Sequence, residues 1–395
     1  MDADAVGAPA FEGADAAPLD VAATLRKDLR AYTLAAVEQL LGPEALAAVR
    51  REQRVPALAR ARAIAEGGRP AGVVGFEGRN AVNADDVRLA NLTRLFMLGD
   101  RLGEGEIAAA LPATWARGRV GAVVKDGRAL FQIVPAPIPG HLQVFRSAAE
   151  SGSAPESSSA PEPVSPPSLH RAAAVDARRR DDVLIASDWG ELAGAIPGPD
   201  HVMPVGGATR TLAALAAYGA GERVLDVGTG CGYHAVLAAL CGARVTATDV
   251  SARALAYARF NAALAGAEID FRRGSLLEPV RDSRSDLADA VDSLDSLDSL
   301  SAAHERYDVV VSNPPFVITP EAARADGVRT YRDGGREGDS LLAELVGELH
   351  GVLAPGGRAW MLGNWEIKGS YAAPDRPFDA VPDWARGPAA WIPDG

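Results

Sequence analysis

The residues most suggestive of chemistry are Asn313-Pro314-Pro315-Phe316, which follow the β-branched run Tyr307–Ser312. Two consecutive prolines fix the backbone and remove two N–H donors, leaving carbonyl groups free to accept. If the Asn313 side-chain oxygen and the Pro314 carbonyl each take one hydrogen of a single NH2 group, they favour a pyramidal nitrogen. Its lone pair then faces an electrophile, and no strong base is needed because binding is tighter in the transition state than in the ground state. This assistance matters for an amide or an aromatic amine, whose lone pair is delocalised. Phe316 can stack on the planar group and set the line of attack. Asn-Pro is also an ordinary turn signal, so the weight of the motif comes from its place at the end of a fourth predicted strand.

A second constellation is Asp226-Val-Gly228-Thr229-Gly230-Cys-Gly232, which leads from a predicted strand into the helical run His234–Leu240. Glycines there let the backbone turn sharply and approach a ligand without a Cβ in the way. The next strand closes on Asp249, with Val250 beside it in the same candidate pocket; an acid there can accept both hydroxyls of a ribose. A dinucleotide site has similar geometry, with pyrophosphate at the helix N-terminus. Asp226 would repel a pyrophosphate but pairs well with a cationic amino group. Ser275 and Leu276, after the third strand, are placed to meet the amino group and the face of an adenine ring, or to form a plain loop.

The elements that must position these groups alternate: Val224–Val227, Val245–Thr248, Ile269–Arg272, Val309–Val311 and Arg358–Leu362 read as strands separated by helical stretches. Such alternation predicts a parallel, doubly wound sheet with its ligand beyond the strand carboxyl ends. Upstream, the pattern is helical. A helix is expected to begin with Asp20 as N-cap and to bury Val21, Leu25, Leu29 and Tyr32; others are expected over Thr33–Leu41, Pro43–Arg54 and Ala84–Leu98. Val120, Ala122 and Val124 then lead into a hairpin turn at Asp126-Gly127 that continues through Leu130, Gln132 and Val134. Short helices before a hairpin give a winged-helix-like outline.

Residues 1–19 read as a disordered lead-in, 20–146 as the helical domain, 147–181 as a Ser- and Pro-rich flexible linker, and 182–395 as the α/β domain. The threefold Asp-Ser-Leu repeat ending at Leu300 reads as an expanded loop. The net charge of −12 argues against a protein that coats polyanions, although Lys and Arg outnumber Asp and Glu by 18 to 13 over residues 20–146. Cys231 and Cys241 lack partners at metal-ligand spacing and read as buried small residues, so no metal is expected. His234 reads as a helix-start residue rather than a base. An acidic start and the lack of a long apolar run predict a cytoplasmic protein with no membrane partner.

With these motifs in place, residues 222–363 resemble class I S-adenosylmethionine-dependent methyltransferases that act on amino nitrogens. That group includes release-factor glutamine methyltransferases and related ribosomal RNA base methyltransferases. The resemblance implies a Rossmann-like sheet and S-adenosylmethionine as cofactor. It implies that Asp226, Gly228, Thr229, Gly230, Gly232 and Asp249 hold that cofactor, beside the candidates Val250, Ser275, Leu276 and Asn313, and that Asn313, Pro314, Pro315 and Phe316 are catalytic. Tyr331-Arg-Asp-Gly-Gly335-Arg-Glu-Gly338 is similar to a segment of the release-factor enzymes, whereas Phe at position 316 is more like the RNA branch. The whole chain, through Ser187-Asp188-Trp189-Gly190 and Val205-Gly206-Gly207-Ala208-Thr209, resembles uncharacterised actinobacterial methyltransferases with a helical N-terminal domain. Gly206 to Thr209 would line the cofactor pocket or simply cap a helix. The expected substrate is a macromolecule, RNA by a small margin from the basic excess, or a translation-related protein; a small-molecule acceptor stays open. The family's final pair of strands is not recognisable after Asn364-Trp365-Glu366, so a non-catalytic scaffold is a second reading.

Overall fold

The structure, a computed structural model, describes residues 17–68, 82–143, 181–195, 197–281, 306–315 and 340–364. The linker run from Ser151, the Asp-Ser-Leu repeat, Phe316, Tyr331–Gly338 and the tail beyond Asn364 lie outside these residues, as does most of the lead-in. Among the described residues no helix is long and apolar enough to cross a membrane, and no group of acidic, His or Cys side chains could hold a metal ion.

The α/β part is a parallel sheet of five described strands: β5 (Arg223–Val227), β6 (Arg244–Asp249), β7 (Asp270–Arg273), β8 (Tyr307–Ser312) and β9 (Leu353–Met361). Their spatial order is β7-β6-β5-β8-β9. From β5 the chain steps outward through β6 and β7, then returns to the other side of β5 to form β8. That reversal leaves a crevice at the carboxyl ends of β5 and β8, where ligands of such sheets collect. α8 (Tyr233–Leu240) and α9 (Ala252–Ala265) connect β5 to β6 and β6 to β7. α10 (Ser340–Glu348) precedes β9 and packs on the opposite face through Leu345, against Leu225, Val227 and Val310. The alternation of Val224 and Leu225 between the two cores is the period-2 signature of a strand covered on both faces.

The helical part comprises α1 (Ala17–Asp28), α2 (Leu34–Arg50), α3 (Arg54–Ala65), α4 (Ala84–Phe96), α5 (Glu104–Ala110) and α6 (Pro112–Ala116). Thr33 caps α2 by accepting from the Ala36 N–H at 3.1 Å, and Gly42, with φ 68°, breaks it just before Pro43. Asp20 does not cap α1 as the sequence predicts: the helix starts at Ala17, which puts Asp20 in the first turn, where an acid still favours the helix dipole. α3 was not foreseen, because its interior mixes Arg with Ala and carries little apolar periodicity. Its buried residues are the small Ala57 and Ala61 together with Ile64.

The hairpin departs from its predicted outline. Residues 120–122 form a 3-10 turn, and the hairpin proper is only β1 (Val124–Lys125) against β2 (Arg128–Ala129). β3 (Gln132–Pro137) leaves it and pairs antiparallel with β4 (Asp182–Ser187), on the far side of the Ser- and Pro-rich stretch. The wing of a winged helix is therefore replaced by a ribbon that spans the two halves of the chain. The reason lies in burial: all six positions of β4 are buried, and its β-branched run finds cover only between β3 and α9.

The two halves share one hydrophobic core from Val21 to Val311. α1 lies along α9, and the Phe131 ring meets the edges of Tyr257 and Phe260 at centroid distances of 6.3 and 5.4 Å. Polar contacts reinforce the seam. The Tyr32 hydroxyl donates to the Ile133 carbonyl at 3.1 Å, the Asp182 carboxylate accepts from the Leu34 N–H, and the Tyr233 hydroxyl donates to the Pro137 carbonyl. The division into a 20–146 and a 182–395 domain stays our proposal for the sequence segments.

Asn261, fully buried in α9, ties this seam to the candidate site. Its Oδ1 accepts from the Ala186 N–H, and its Nδ2 donates to the carbonyls of Ala186 and Cys231, all at 2.8 Å. One side chain thus satisfies the outer edge of β4 and anchors the glycine loop. Three buried hydrogen bonds are lost together in Asn261→Ala, and the backbone groups left behind are desolvated. We expect a loss of at least about 3 kcal/mol, at roughly 1 kcal/mol or more for each bond, read as a lower urea midpoint with an unchanged slope. A midpoint within error of the parent would remove Asn261 from this role.

Candidate functional site

Parallel register assembles the site. Asp226 of β5 pairs with Ala247 of β6 on one side and with Val311 of β8 on the other, so the tips carrying Asp226, Asp249 and Asn313 lie side by side. The Ser312 hydroxyl, fully buried, donates to the Val227 carbonyl at 2.8 Å and fixes the end of β8 to the end of β5.

Asp226 is 2 % exposed. Its Oδ2 accepts from the Thr229 hydroxyl at 2.6 Å and from the Ala235 N–H at 3.0 Å, which folds the glycine loop back onto the strand that leads into it. Burial pushes its carboxyl pKa up to about 7 despite these two donors, and Asp249 nearby adds to the rise. A buried carboxylate with no cation beside it is costly, and a bound ammonium group relieves that cost.

The loop bends through three glycines of positive φ: Gly228 at 68°, Gly230 at 55° and Gly232 at 83°. A Cβ on Gly232 would stand 2.9 Å from the Ala258 Cβ, so this glycine serves close packing of the loop on α9. At Gly228 and Gly230 a Cβ would meet nothing within 4 Å, which leaves open space over the loop. Asp249 accepts from the Gly230 N–H at 2.9 Å and the Ser251 N–H at 2.8 Å, and burial raises its pKa.

Val250 is half exposed at 51 %, an apolar side chain left uncovered at the rim. Leu276 adopts φ 48°, an unusual backbone for a branched residue, and its carbonyl accepts from the Thr248 hydroxyl at 3.4 Å. Ser275 is exposed, and its N–H donates to Glu278 at 3.3 Å. The structure thus gathers Asp226, the glycine loop, Asp249, Val250, Ser275 and Leu276 along the ends of β5, β6 and β7.

Asn313 stands at the end of β8. Its Nδ2 donates to the Thr209 hydroxyl at 3.2 Å, and its Oδ1 is buried with no hydrogen-bond partner among the described residues. Such an orphaned acceptor is rare in folded proteins and calls for an explanation. Thr209 lies in the first turn of α7 (Gly207–Leu215), the helix before β5. Pro314 and Pro315 follow on the strand tip, while Phe316 lies outside the described residues.

Other candidates are structural. His234 is buried in the first turn of α8 with its Nδ1 3.2 Å from the Tyr218 hydroxyl, and burial pulls its pKa down to about 4, so it is neutral at physiological pH. Burial pushes the Cys231 thiol up to about 12. Asp188 accepts from Arg253 Nη2 at 2.5 Å, the Tyr257 hydroxyl at 2.7 Å and the Val202 N–H at 2.8 Å. Burial opposes its ionisation, but these donors win and hold its pKa low, which pins the segment before α7 onto α9. Sequence reasoning missed Asn261, Ser312 and the Asp188–Arg253 pair. An Asn inside the otherwise alanine-rich helix Ala252–Ala265 was the one available signal, because Asn is poor in helix interiors and persists there when buried and bonded.

The Asp226 pKa sets a pH dependence. A carboxyl raised from 3.8 to about 7 favours the protonated folded state, so this group's contribution to stability is lost as pH rises from about 4 to about 7. An ammonium ligand binds the ionised form, and an α-amino group itself loses its proton above roughly 7.7–8.0. We expect S-adenosylmethionine affinity to climb by up to about tenfold per pH unit toward pH 7 and to decline above about 8. Asp226→Asn should flatten the acid limb while raising the melting temperature of the ligand-free protein at pH 8. Calorimetric titrations from pH 5.5 to 8.5 check this, and an acid limb unchanged in Asp226→Asn would assign it elsewhere.

Comparison with known proteins agrees with this geometry. Residues 224–306 match a family described as a methyltransferase domain, and residues 30–130 match a domain of unknown function, DUF7059. The release factor glutamine methyltransferase of Bordetella pertussis is 36 % identical over 178 residues, which is 43 % of this chain and 57 % of that protein. Its counterpart in Deinococcus radiodurans is 39 % identical over 142 residues, 34 % of this chain and 43 % of that protein. The ribosomal protein uL3 glutamine methyltransferase of Bradyrhizobium diazoefficiens is 30 % identical over 146 residues, 34 % of this chain and 39 % of that protein. The chain therefore spans about half the length of the curated relatives it matches. With its five-stranded parallel order and the Asp226 loop at the switch point, the α/β part of this chain is a class I S-adenosylmethionine-dependent methyltransferase domain with homology to release factor glutamine methyltransferases.

Proposed function

We propose that this protein methylates the side-chain amide nitrogen of a glutamine in a protein of the translation machinery. The observation that carries the reading is the buried, partnerless Asn313 Oδ1 just past the end of β8, the strand whose Val311 is in register with Asp226 of β5. An acceptor left unsatisfied inside the protein costs about 1–3 kcal/mol, and an NH2 donor from a substrate recovers it.

The residues divide the work. Asp226, with Oδ2 occupied by Thr229 and Ala235, has its other oxygen for the cofactor's ammonium group. Asp249 takes the ribose hydroxyls, and Val250, Ser275 and Leu276 line the adenine end. When bound, S-adenosylmethionine supplies an electrophilic methyl carbon attached to a positively charged sulfur. Asn313 Oδ1 and the Pro314 carbonyl accept the two amide hydrogens and turn the nitrogen lone pair toward that carbon. Once methylated, the nitrogen would be more acidic, so that one of the two hydrogens held by Asn313 Oδ1 and the Pro314 carbonyl would depart as a proton to solvent. Phe316 is assigned to stack on the planar amide.

Glutamine is preferred over an RNA base for two reasons. The relatives are named as glutamine methyltransferases of a release factor and of a ribosomal protein. Five of the 18 basic residues over 20–146 are also paired with acids among the described residues. Arg62 and Arg94 bind Asp100, Arg88 binds Asp28, and Arg117 and Arg119 bind Asp20. Arginines paired in this way contribute less to a polyanion-binding face.

Tritiated cofactor incubated with release factors, ribosomes and total RNA from a strain lacking the gene tests the proposal. We expect label in protein, removed with glutamine-containing peptides, and a loss of about 100-fold or more with Asn313→Ala, on the scale of losing a transition-state hydrogen-bond partner. Label confined to RNA would replace glutamine by a base. Cofactor binding without turnover on any fraction would support a scaffold.

A further inference from the structure

The Asn313 carboxamide has two ends of opposite polarity, and only one orientation lets it accept from a substrate NH2. A carboxamide at a strand tip can rotate by half a turn at little steric cost, because its oxygen and nitrogen are nearly the same size. In the reversed orientation two N–H donors would face the incoming NH2 group and repel it. Something must therefore select the orientation before the substrate arrives.

We infer that Thr209 is a positioning residue for the proposed reaction, holding Asn313 with its oxygen toward the acceptor amide. This inference rests on the glutamine-methylation reading and extends it to a residue that makes no contact with the reacting atoms. Three observations carry it. The Thr209 hydroxyl accepts from Asn313 Nδ2 at 3.2 Å, while Asn313 Oδ1 is buried and unpartnered. The reverse orientation, with Thr209 donating to Oδ1, would bury two unpaired N–H donors in place of one acceptor, which is the costlier arrangement.

Third, α7 cannot move freely. Leu212 and Ala213 are buried, the Ala216 carbonyl accepts from the His141 ring at 2.8 Å, and the Ala217 carbonyl accepts from Arg358 at 3.1 Å. Arg358, on the strand neighbouring β8, in turn pairs with Glu222 at 2.9 Å. The helix that carries Thr209 is thus fixed to the helical half of the chain by His141 and to the sheet by Arg358. Threonine suits the role because its branched side chain has few rotamers to choose from.

The test compares Thr209→Val, which keeps the shape and removes the acceptor, with Thr209→Ser, which restores it. Purified release factor is the methyl acceptor, and Asn313→Ala the control. We expect Thr209→Val to lower kcat about tenfold, with KM for the release factor and cofactor affinity within about twofold of the parent, and Thr209→Ser to recover most of the rate. The side-chain amide resonance of Asn313, identified by its absence in Asn313→Ala, should shift in Thr209→Val and return in Thr209→Ser. This second readout is independent of turnover. If Thr209→Val folds poorly by thermal melting, Thr209→Ala replaces it, because a smaller side chain leaves the half-buried site unstrained.

A Thr209→Val protein with unchanged kcat and an unmoved Asn313 resonance, beside an inactive Asn313→Ala, overturns the positioning role alone. An Asn313→Ala protein as active as the parent overturns the role of the Asn313 oxygen and the positioning role with it, whereas a parent that labels no protein glutamine overturns the glutamine-methylation reading.

Discussion

Asp226 places a carboxylate in the interior of the molecule, at the tip of the central strand, where burial raises its pKa to about 7. Much of the site follows from how that group is accommodated. Its Oδ2 draws in the Thr229 hydroxyl and the Ala235 N–H, and these two bonds curl the glycine loop into the first turn of α8. The curl directs the Gly230 N–H at Asp249 on the next strand, so two acids on neighbouring strands are coupled through one loop. The remaining cost of burial is what makes the pocket receptive to a cation.

The sheet converts this local arrangement into a site. Parallel register brings Val311 beside Asp226, and Ser312 beside Val227, so the chain leaving β8 must pass over the same crevice. The Ser312 hydroxyl secures that passage, and the prolines that follow keep the strand tip from adding further ladder bonds. A polar side chain at this point is either satisfied or poised. Asn313 is half of each, with its nitrogen bonded to Thr209 and its oxygen without a partner.

The helical half is part of the support. β3 joins β4, Asn261 joins β4 to the Cys231 carbonyl of the glycine loop, and Tyr233 reaches Pro137. His141 braces the helix that bears Thr209. Deleting the first half of the chain would therefore expose a core surface and loosen the loop and α7 together. The position of this half along α9 explains how residues far from the crevice in sequence can set its geometry.

The sequence by itself determined the local chemistry. The β-branched runs ending in Asp226, Asp249 and Ser312 could only be buried strands, and the glycines at 228, 230 and 232 could only mark a turn with positive φ, as found. Those strand tips and the Asn-Pro-Pro step were legible because each depends on neighbours in the chain. The tertiary structure decided what depends on distant partners. The strand from Gln132 leaves its hairpin for β4, because pairing preference follows which surface remains to be buried. Asn261 bridges β4 and the loop, and Thr209 meets Asn313 across 104 positions. No local pattern encodes these contacts, since a hydrogen bond between remote side chains exists only once packing has brought them within about 3 Å of each other.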